Sequence, residues 1–250
     1  RLLEPSLKSR WHDGKLSLGA LDPLIESLRK RPPQPDRGQP KIEIDAAHLR
    51  LATDYGPVVA TADLRANDGK LQRLDARIDP ATLKTSKAEL ALGASELHLV
   101  AFGNRLALAA AGRIERLRAP DVAVEGSNLT LAAQAPYPDL KARSAEGPLS
   151  LTLTADTRTL SQGGRRLDGA RQTLALRGAL SGPIERLVVK GAVDSRLDAA
   201  AADLPGASIS KVEVRARAPD FVWTHAASDQ VSGTLRLTAA ADRLAAGPEL

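Results

Sequence analysis

From Lys41 onward, apolar and polar residues alternate with a period of two, as in strands that turn one face to water and the other away from it. Ile42 and Ile44 alternate with Glu43 and Asp45, Leu49 and Leu51 flank Arg50, and Val58, Ala60, Ala62 and Leu64 alternate with Val59, Thr61, Asp63 and Arg65. The pattern recurs at Leu74, Ala76 and Ile78, at Leu90 and Leu92, at Leu97 and Leu99, and at Leu106, Leu108 and Ala110 before Ile114. It continues through Val122 and Val124, Leu129 and Leu131, Leu149, Leu151 and Leu153, Leu174 and Leu176, Leu187 and Val189, Val212 and Val214, and Leu235 and Leu237. Strands are predicted along the whole of this stretch.

Turn residues fall between these runs at Asn67-Asp68-Gly69, Asp79-Pro80, Gly103-Asn104, Pro120-Asp121, Pro136-Tyr137-Pro138, Gly147-Pro148, Gly163-Gly164, Gly182-Pro183, Pro205-Gly206 and Pro219-Asp220. Short turns join antiparallel neighbours, so consecutive strands are expected to form a meander. The alternation changes parity between Ile44 and Leu49, which predicts a β-bulge or bend at Ala46-Ala47. Two Ala-rich stretches, 197–204 and 235–246, alternate like their neighbours and read as strand despite alanine's helical preference.

Residues 1–40 read differently. Lys15 to Gly19 is strand-like, and Asp22 as N-cap with Pro23 behind it predicts one short helix, apolar at Leu24, Ile25 and Leu28. The helix ends on Arg29, Lys30 and Arg31, cations that suit the negative end of its dipole; Pro32, Pro33 and Pro35 then give an extended linker to residue 40. The chain divides into residues 1–40, with a short strand, a helix and the linker, and residues 41–250, a repeated antiparallel sheet. Ile114-Glu115-Arg116-Leu117 returns as Ile184-Glu185-Arg186-Leu187, and Arg118-Ala119-Pro120-Asp121 as Arg217-Ala218-Pro219-Asp220, at unequal separations that fit no fixed-period solenoid.

Composition narrows what such a sheet can do. Six aromatics, Trp11, Tyr55, Phe102, Tyr137, Phe221 and Trp223, give a 250-residue chain little of the bulk that fills a closed core. The net charge of +5 is scattered along the strands, which describes a solvated face and no nucleic-acid footprint. Without Cys there are no disulfides, thiolate metal sites or Cys nucleophiles; without Met the chain reads as an internal or processed piece, so any membrane anchor lies outside it. No apolar run reaches the length of a membrane-spanning helix.

No catalytic constellation emerges. His12, His48, His98 and His225 are dispersed without metal-ligand spacing, and His48 and His98 fall on the polar side of strands. Nucleophile elbow, phosphate loop and calcium loop are missing, and Gly163-Gly164-Arg165-Arg166 is a turn. The protein is read as a non-enzyme with no cofactor and no metal.

A continuous apolar face must be covered. Three coverings are open: a second sheet in a sandwich, the lipid around a membrane barrel, or acyl chains lying in a curled trough. Six aromatics are too few for the two girdles of a barrel, and the uniform Leu/Val/Ala face suits a sandwich less well than a trough.

The segment Leu49-Arg50-Leu51-Ala52-Thr53-Asp54-Tyr55-Gly56-Pro57-Val58, with Leu64 and the Gly69-Lys70-Leu71 turn, resembles the AsmA-like superfamily and within it the YdbH family. The restarts Gly112 to Leu117 and Gly182 to Leu187, and the Leu18-Gly19-Ala20-Leu21-Asp22 context of the helix, belong to the same resemblance, which covers roughly residues 15–240. It implies a periplasmic protein of Gram-negative bacteria, held at the inner membrane by an anchor outside this piece. It also implies an elongated antiparallel meander curled into an open apolar groove that carries phospholipid acyl chains to the outer membrane, where a partner protein receives them.

On this reading the groove is lined by Ile42, Ile44, Leu49, Leu51, Val58, Leu64, Leu74, Ile78, Leu90, Leu92, Leu97, Leu99, Leu106, Leu108, Val122, Val124, Leu151 and Leu153. The alternative is a closed structural β-sandwich or adhesin-like interaction module without lipid, with the same residues as its core.

Overall fold

The computed structural model describes residues 1–12, 15–17, 41–68, 70–139, 142–225 and 228–246. The helix expected from Asp22 and the linker after it lie outside the described residues. All the described strands belong to one sheet.

At its N-terminal edge, β1 (Leu2–Leu3) and β2 (Ser6–His12) lie parallel to β4 (Ile42–Thr53), with Leu2 opposite Ile44 and Leu7 opposite Leu49. β3 (Lys15–Ser17) turns back antiparallel on β2. This parallel pairing departs from the meander expected of the sequence.

From β4 onward the meander is as expected. β5 (Gly56–Asn67) follows, and the next two rungs are each broken in the middle, β6 (Lys70–Ile78) with β7 (Ala81–Lys84), then β8 (Glu89–Leu92) with β9 (Ser95–Phe102). β6 bridges β5 and β9, β7 pairs with β8, and β8 and β9 both lie along β10 (Arg105–Ala119). Long hairpins then run through β11 (Val122–Pro136), β12 (Gly147–Gln162), β13 (Arg165–Ser181), β14 (Val188–Leu204) and β15 (Ala207–Thr224). The last rung consists of three short pieces on β15: β16 (Gln230–Ser232), β17 (Arg236–Ala240) and β18 (Arg243–Ala246). Both Ala-rich stretches are strand.

Successive turns alternate between two rims. The first rim holds Asp54-Tyr55, residues 85–88, Pro120-Asp121, Gly163-Gly164 and Pro205-Gly206; at Gly163 and Gly164 both φ are positive (54° and 76°), the backbone of a tight hairpin that only glycine adopts freely. The second rim holds Asp68, Gly103-Asn104 and three longer connections, 137–146, 182–187 and 225–229. These longer loops brace one another. Tyr137 N donates to Asn104 O (2.7 Å), Ile184 N to Arg143 O (2.7 Å) and His225 N to Leu187 O (2.8 Å), and Arg143 pairs with Glu185.

Three expected turns are not hairpins, and one of them, Gly147-Pro148, simply opens β12, with Gly147 opposite Leu180. Asp79-Pro80 interrupts a single rung between β6 and β7, and Pro219-Asp220 lies inside β15, where the register against β14 shifts between Gly191 and Val193. Proline without an N–H breaks the ladder in both places without reversing the chain. The sequence echoes also part company: Ile114–Leu117 is mid-strand, whereas Ile184–Arg186 is a single 3-10 turn.

The sheet does not close, since no pairing joins the β1–β3 edge to the β16–β18 edge among the described residues. Nor do the described residues form a packed sandwich. No large side chain is fully buried among the described residues; the buried apolar positions are Ala47, Ala62, Ala145, Ala170, Val189, Ala199 and Ala202. A two-layer core would bury its leucines first.

Candidate apolar trough

Cross-strand partners share a face, so the ladder registers assign every side chain to a side. Starting from Leu108, the pairs Leu108↔Leu99, Leu99↔Leu74, Leu74↔Leu64 and Leu64↔Ile44 run one way, and Leu108↔Ala133, Ala133↔Leu151 and Leu151↔Leu176 the other. All eighteen residues expected to line a groove fall on this one face. The face also runs well beyond them, through Leu174, Leu176, Leu197, Val193, Val214 and Ile209 to Phe221 and Trp223 near the end of β15. Most of its leucines are half-buried. Between β4 and β15, Arg165 at a first-rim turn is the one charged residue in register with it among the described residues.

Three features make the apolar face concave. The first is a row of breaks in the alternation, aligned across the sheet. On either side of it the apolar-face residues of each rung from β6–β7 to β15 stand three apart instead of two: Ile78/Ala81, Leu92/Ser95, Ile114/Leu117, Val124/Ser127, Thr157/Leu160, Leu167/Ala170, Ala199/Ala202 and Ile209/Val212. The positions between them face one another in register without a ladder pair: Glu115 with Gly126, Gly126 with Arg158, Arg158 with Gly169, Gly169 with Ala200, and Ala200 with Lys211. Gly126, Gly169 and Lys211, in alternate strands, have φ of 61°, 59° and 48°. Each strand so gains one residue on its polar side, which bends it toward the apolar side. Because the rungs from β6–β7 to β15 do so at nearly the same level, about five residues from the first rim, the bends add up to a crease running across those strands. Its floor holds four of the buried positions among the described residues: Ser127 (3% exposed), Ala170, Ala199 and Ala202.

The second feature is the glycine pair Gly178↔Gly191 between β13 and β14. A Cβ on Gly178 would stand 2.2 Å from Lys190 O and 2.8 Å from Gly191 Cα, so the neighbouring backbone occupies the space into which an apolar-face side chain would point. The two strands fold toward that face. The third is Tyr137, whose hydroxyl accepts from Leu71 N at 2.8 Å. β9 and β10 lie between β6 and the end of β11, a separation of about 14 Å on a flat sheet; a tyrosine side chain does not span that, so the bond holds the sheet curled at the second rim.

The bend expected at Ala46-Ala47 is present. Ala46 has φ 51°, the register shifts between Ile44 and Ala47, and Asp63 Oδ1 accepts from the freed Ala46 N at 2.8 Å. The crease has a signal in the sequence from β6 onward, as apolar spacings of three at a nearly fixed distance from the first-rim turns, but it takes the registers to show that these breaks share one level.

The opposite face is convex and carries ion pairs along and across strands. Arg73 pairs with Asp75, whose other oxygen lies 2.8 Å from His98 Nδ1; Arg166 Nε donates to Asp168 at 2.7 Å, and Arg217 Nε to Asp194 at 2.7 Å. The Arg73 guanidinium, then His98, hold the Asp75 carboxyl below its ordinary value; Arg166 and then Thr159 do the same for Asp168, and Arg217 for Asp194. His48 pairs with Thr61 and His98 with Asp75 in the ladders, which puts both on this polar face. Among the described residues no group of three or more His, Asp or Glu is placed to hold a metal, and no helix is long and apolar enough to cross a membrane.

These carboxyls titrate lower in the folded chain than in the unfolded one, so what they contribute is complete above the ordinary carboxylate range and disappears as pH falls through the lowered values. The urea midpoint is therefore expected to be flat from pH 7 to about 5 and to fall below about pH 4. Asp75→Asn should flatten that fall; an equally steep fall in the variant would remove Asp75 from the account.

The fold and its two faces define a class by shape: an open, single-layer β-trough, apolar inside and charged outside. Comparisons with protein-family models, with curated proteins and with solved structures find no match for this chain.

Proposed function

We propose that this chain is a non-enzymatic conduit segment that carries phospholipids between the inner and outer membranes of a Gram-negative cell, their acyl chains sliding along the apolar trough. In the full protein it stands in the periplasm, held at the inner membrane by an anchor outside this chain, with an outer-membrane protein at the far end. The location and the membranes come from the AsmA-like resemblance of the Leu49–Val58 segment and its companions.

The observation that carries the mechanism is that the apolar face is concave, half-exposed and covered by no second layer among the described residues. A sheet that buries only alanines, one valine and a serine leaves its leucines to be covered by something outside itself. An alkyl chain is a suitable cover. Each methylene taken out of water gains about 0.8 kcal/mol wherever it lies on a uniform lining, so retention is tight while movement along the lining meets no deep well.

Native mass spectrometry of the protein purified from a Gram-negative periplasm without detergent, followed by solvent extraction, tests this. Phospholipid is expected to co-purify with the parent protein and with Ala109→Asp, which adds a charge to the exposed convex face opposite His98. It is expected to be lost from Val124→Asp, which puts the same charge into the lining. A lipid-free parent that unfolds cooperatively would overturn the proposal.

A further inference from the structure

We propose that the acyl chains occupy the crease, lying along it and across the strands, and do not spread over the whole apolar face. This rests on the trough being an acyl-chain carrier and adds where in it the chain lies and which residues set its width.

Three observations lead there. Along the crease two apolar walls converge: among the described residues Leu117, Val124, Leu160 and Leu167 stand on the short wall toward the first rim, facing the long wall that runs to the second. A ligand in the angle touches both walls at once and leaves water more completely than one lying on either wall alone. Next, the floor is built of small residues. Closing the angle with the protein's own atoms would take leucine or phenylalanine at positions 127, 170 and 199, where Ser, Ala and Ala stand. Last, the floor offers few partners for peptide groups. Its hydroxyls are already engaged, Ser127 Oγ and Thr157 Oγ1 with each other at 2.9 Å and Ser95 Oγ with Gly93 O at 3.4 Å. An inserted strand or loop would leave most of its N–H and C=O groups unmet there, whereas an alkyl chain has none to satisfy. From the β6–β7 rung to the β16–β18 rung the crease is continuous over about 38 Å at ~4.8 Å per rung.

The test uses the protein produced in a Gram-negative host, with the photoreactive residue p-benzoylphenylalanine introduced at Val124 on the short wall of the crease or at Leu151 on the long wall away from it. Irradiation and mass analysis identify what each position captures. A lipid adduct several-fold stronger at Val124 than at Leu151 is expected. In parallel, Ala170→Phe should weaken retention of phosphatidylglycerol from mixed vesicles about tenfold, equivalent to displacing roughly two methylenes, with an unchanged urea midpoint; Leu180→Phe, far along the long wall, should leave retention as it was. Equal lipid adducts at both positions, or unaltered retention in Ala170→Phe, would overturn the crease while the trough stands. A second copy of the chain captured at Val124 would overturn the crease as a lipid site. Lipid adducts at neither position would overturn the trough reading itself.

Discussion

Gly178→Val is expected to destabilise the protein by about 3 kcal/mol, the upper range for overpacking a site that has no room to yield. The added Cβ would meet Lys190 O at 2.2 Å and Gly191 Cα at 2.8 Å, and both are backbone atoms of the paired strand, so relief requires β13 and β14 to move apart and give up ladder hydrogen bonds. Gly112→Ala is the comparison. Its Cβ would meet Ser95 Oγ at 2.8 Å, a hydroxyl that can rotate away, and the cost should stay below about 1 kcal/mol. Urea unfolding of the two variants measures the difference. Equal midpoints would mean that the close approach of β13 and β14 is not a requirement of the fold.

The second large effect is expected from Gly126→Val combined with Gly169→Val. Both glycines sit on the crease with φ near +60°, where a side chain costs about 1–2 kcal/mol and a β-branched one more. They belong to β11 and β13 with β12 between them, so the losses should add to about 2–4 kcal/mol. Gly126→Asn with Gly169→Asn tests the cause, because asparagine tolerates this backbone far better than valine does. If the asparagine pair were as unstable as the valine pair, crowding would be responsible and not φ; Gly169 is the site to watch, since its Cβ would come within 3.1 Å of Ala200 Cβ.

The fold was legible in the sequence wherever a local period decided it. The alternation around Leu106 and Leu108, or Leu151 and Leu153, fixes which side of a strand is apolar, and glycine or proline pairs such as Gly163-Gly164 and Pro205-Gly206 fix where it reverses. Proline misled where it served as a ladder break, at Asp79-Pro80 and Pro219-Asp220, because the residue pair is the same for a turn and for a bulge. The parallel docking of β2 on β4 left no local trace, being a pairing between segments distant in the chain. The eighteen expected lining residues do share a face, but concavity depends on agreement between strands. Gly126 and Gly169 look like unremarkable glycines until the registers show them at one level, and Lys211, with φ 48°, carries no mark in the sequence at all.

The placement of the crease restricts how a molecule of this kind can change length. It follows the first rim, and turns on that rim come only at every second reversal of the chain. Inserting or removing one whole hairpin, two strands at a time, lengthens or shortens the trough by about 10 Å and leaves every other rung in phase. A change of one strand would exchange the rims for everything downstream, so that the short wall of one half would continue as the long wall of the other and the channel between them would be interrupted. Length in this architecture is therefore quantised in hairpins, and the first and last rungs, which pair with nothing beyond them among the described residues, set no upper limit to their number.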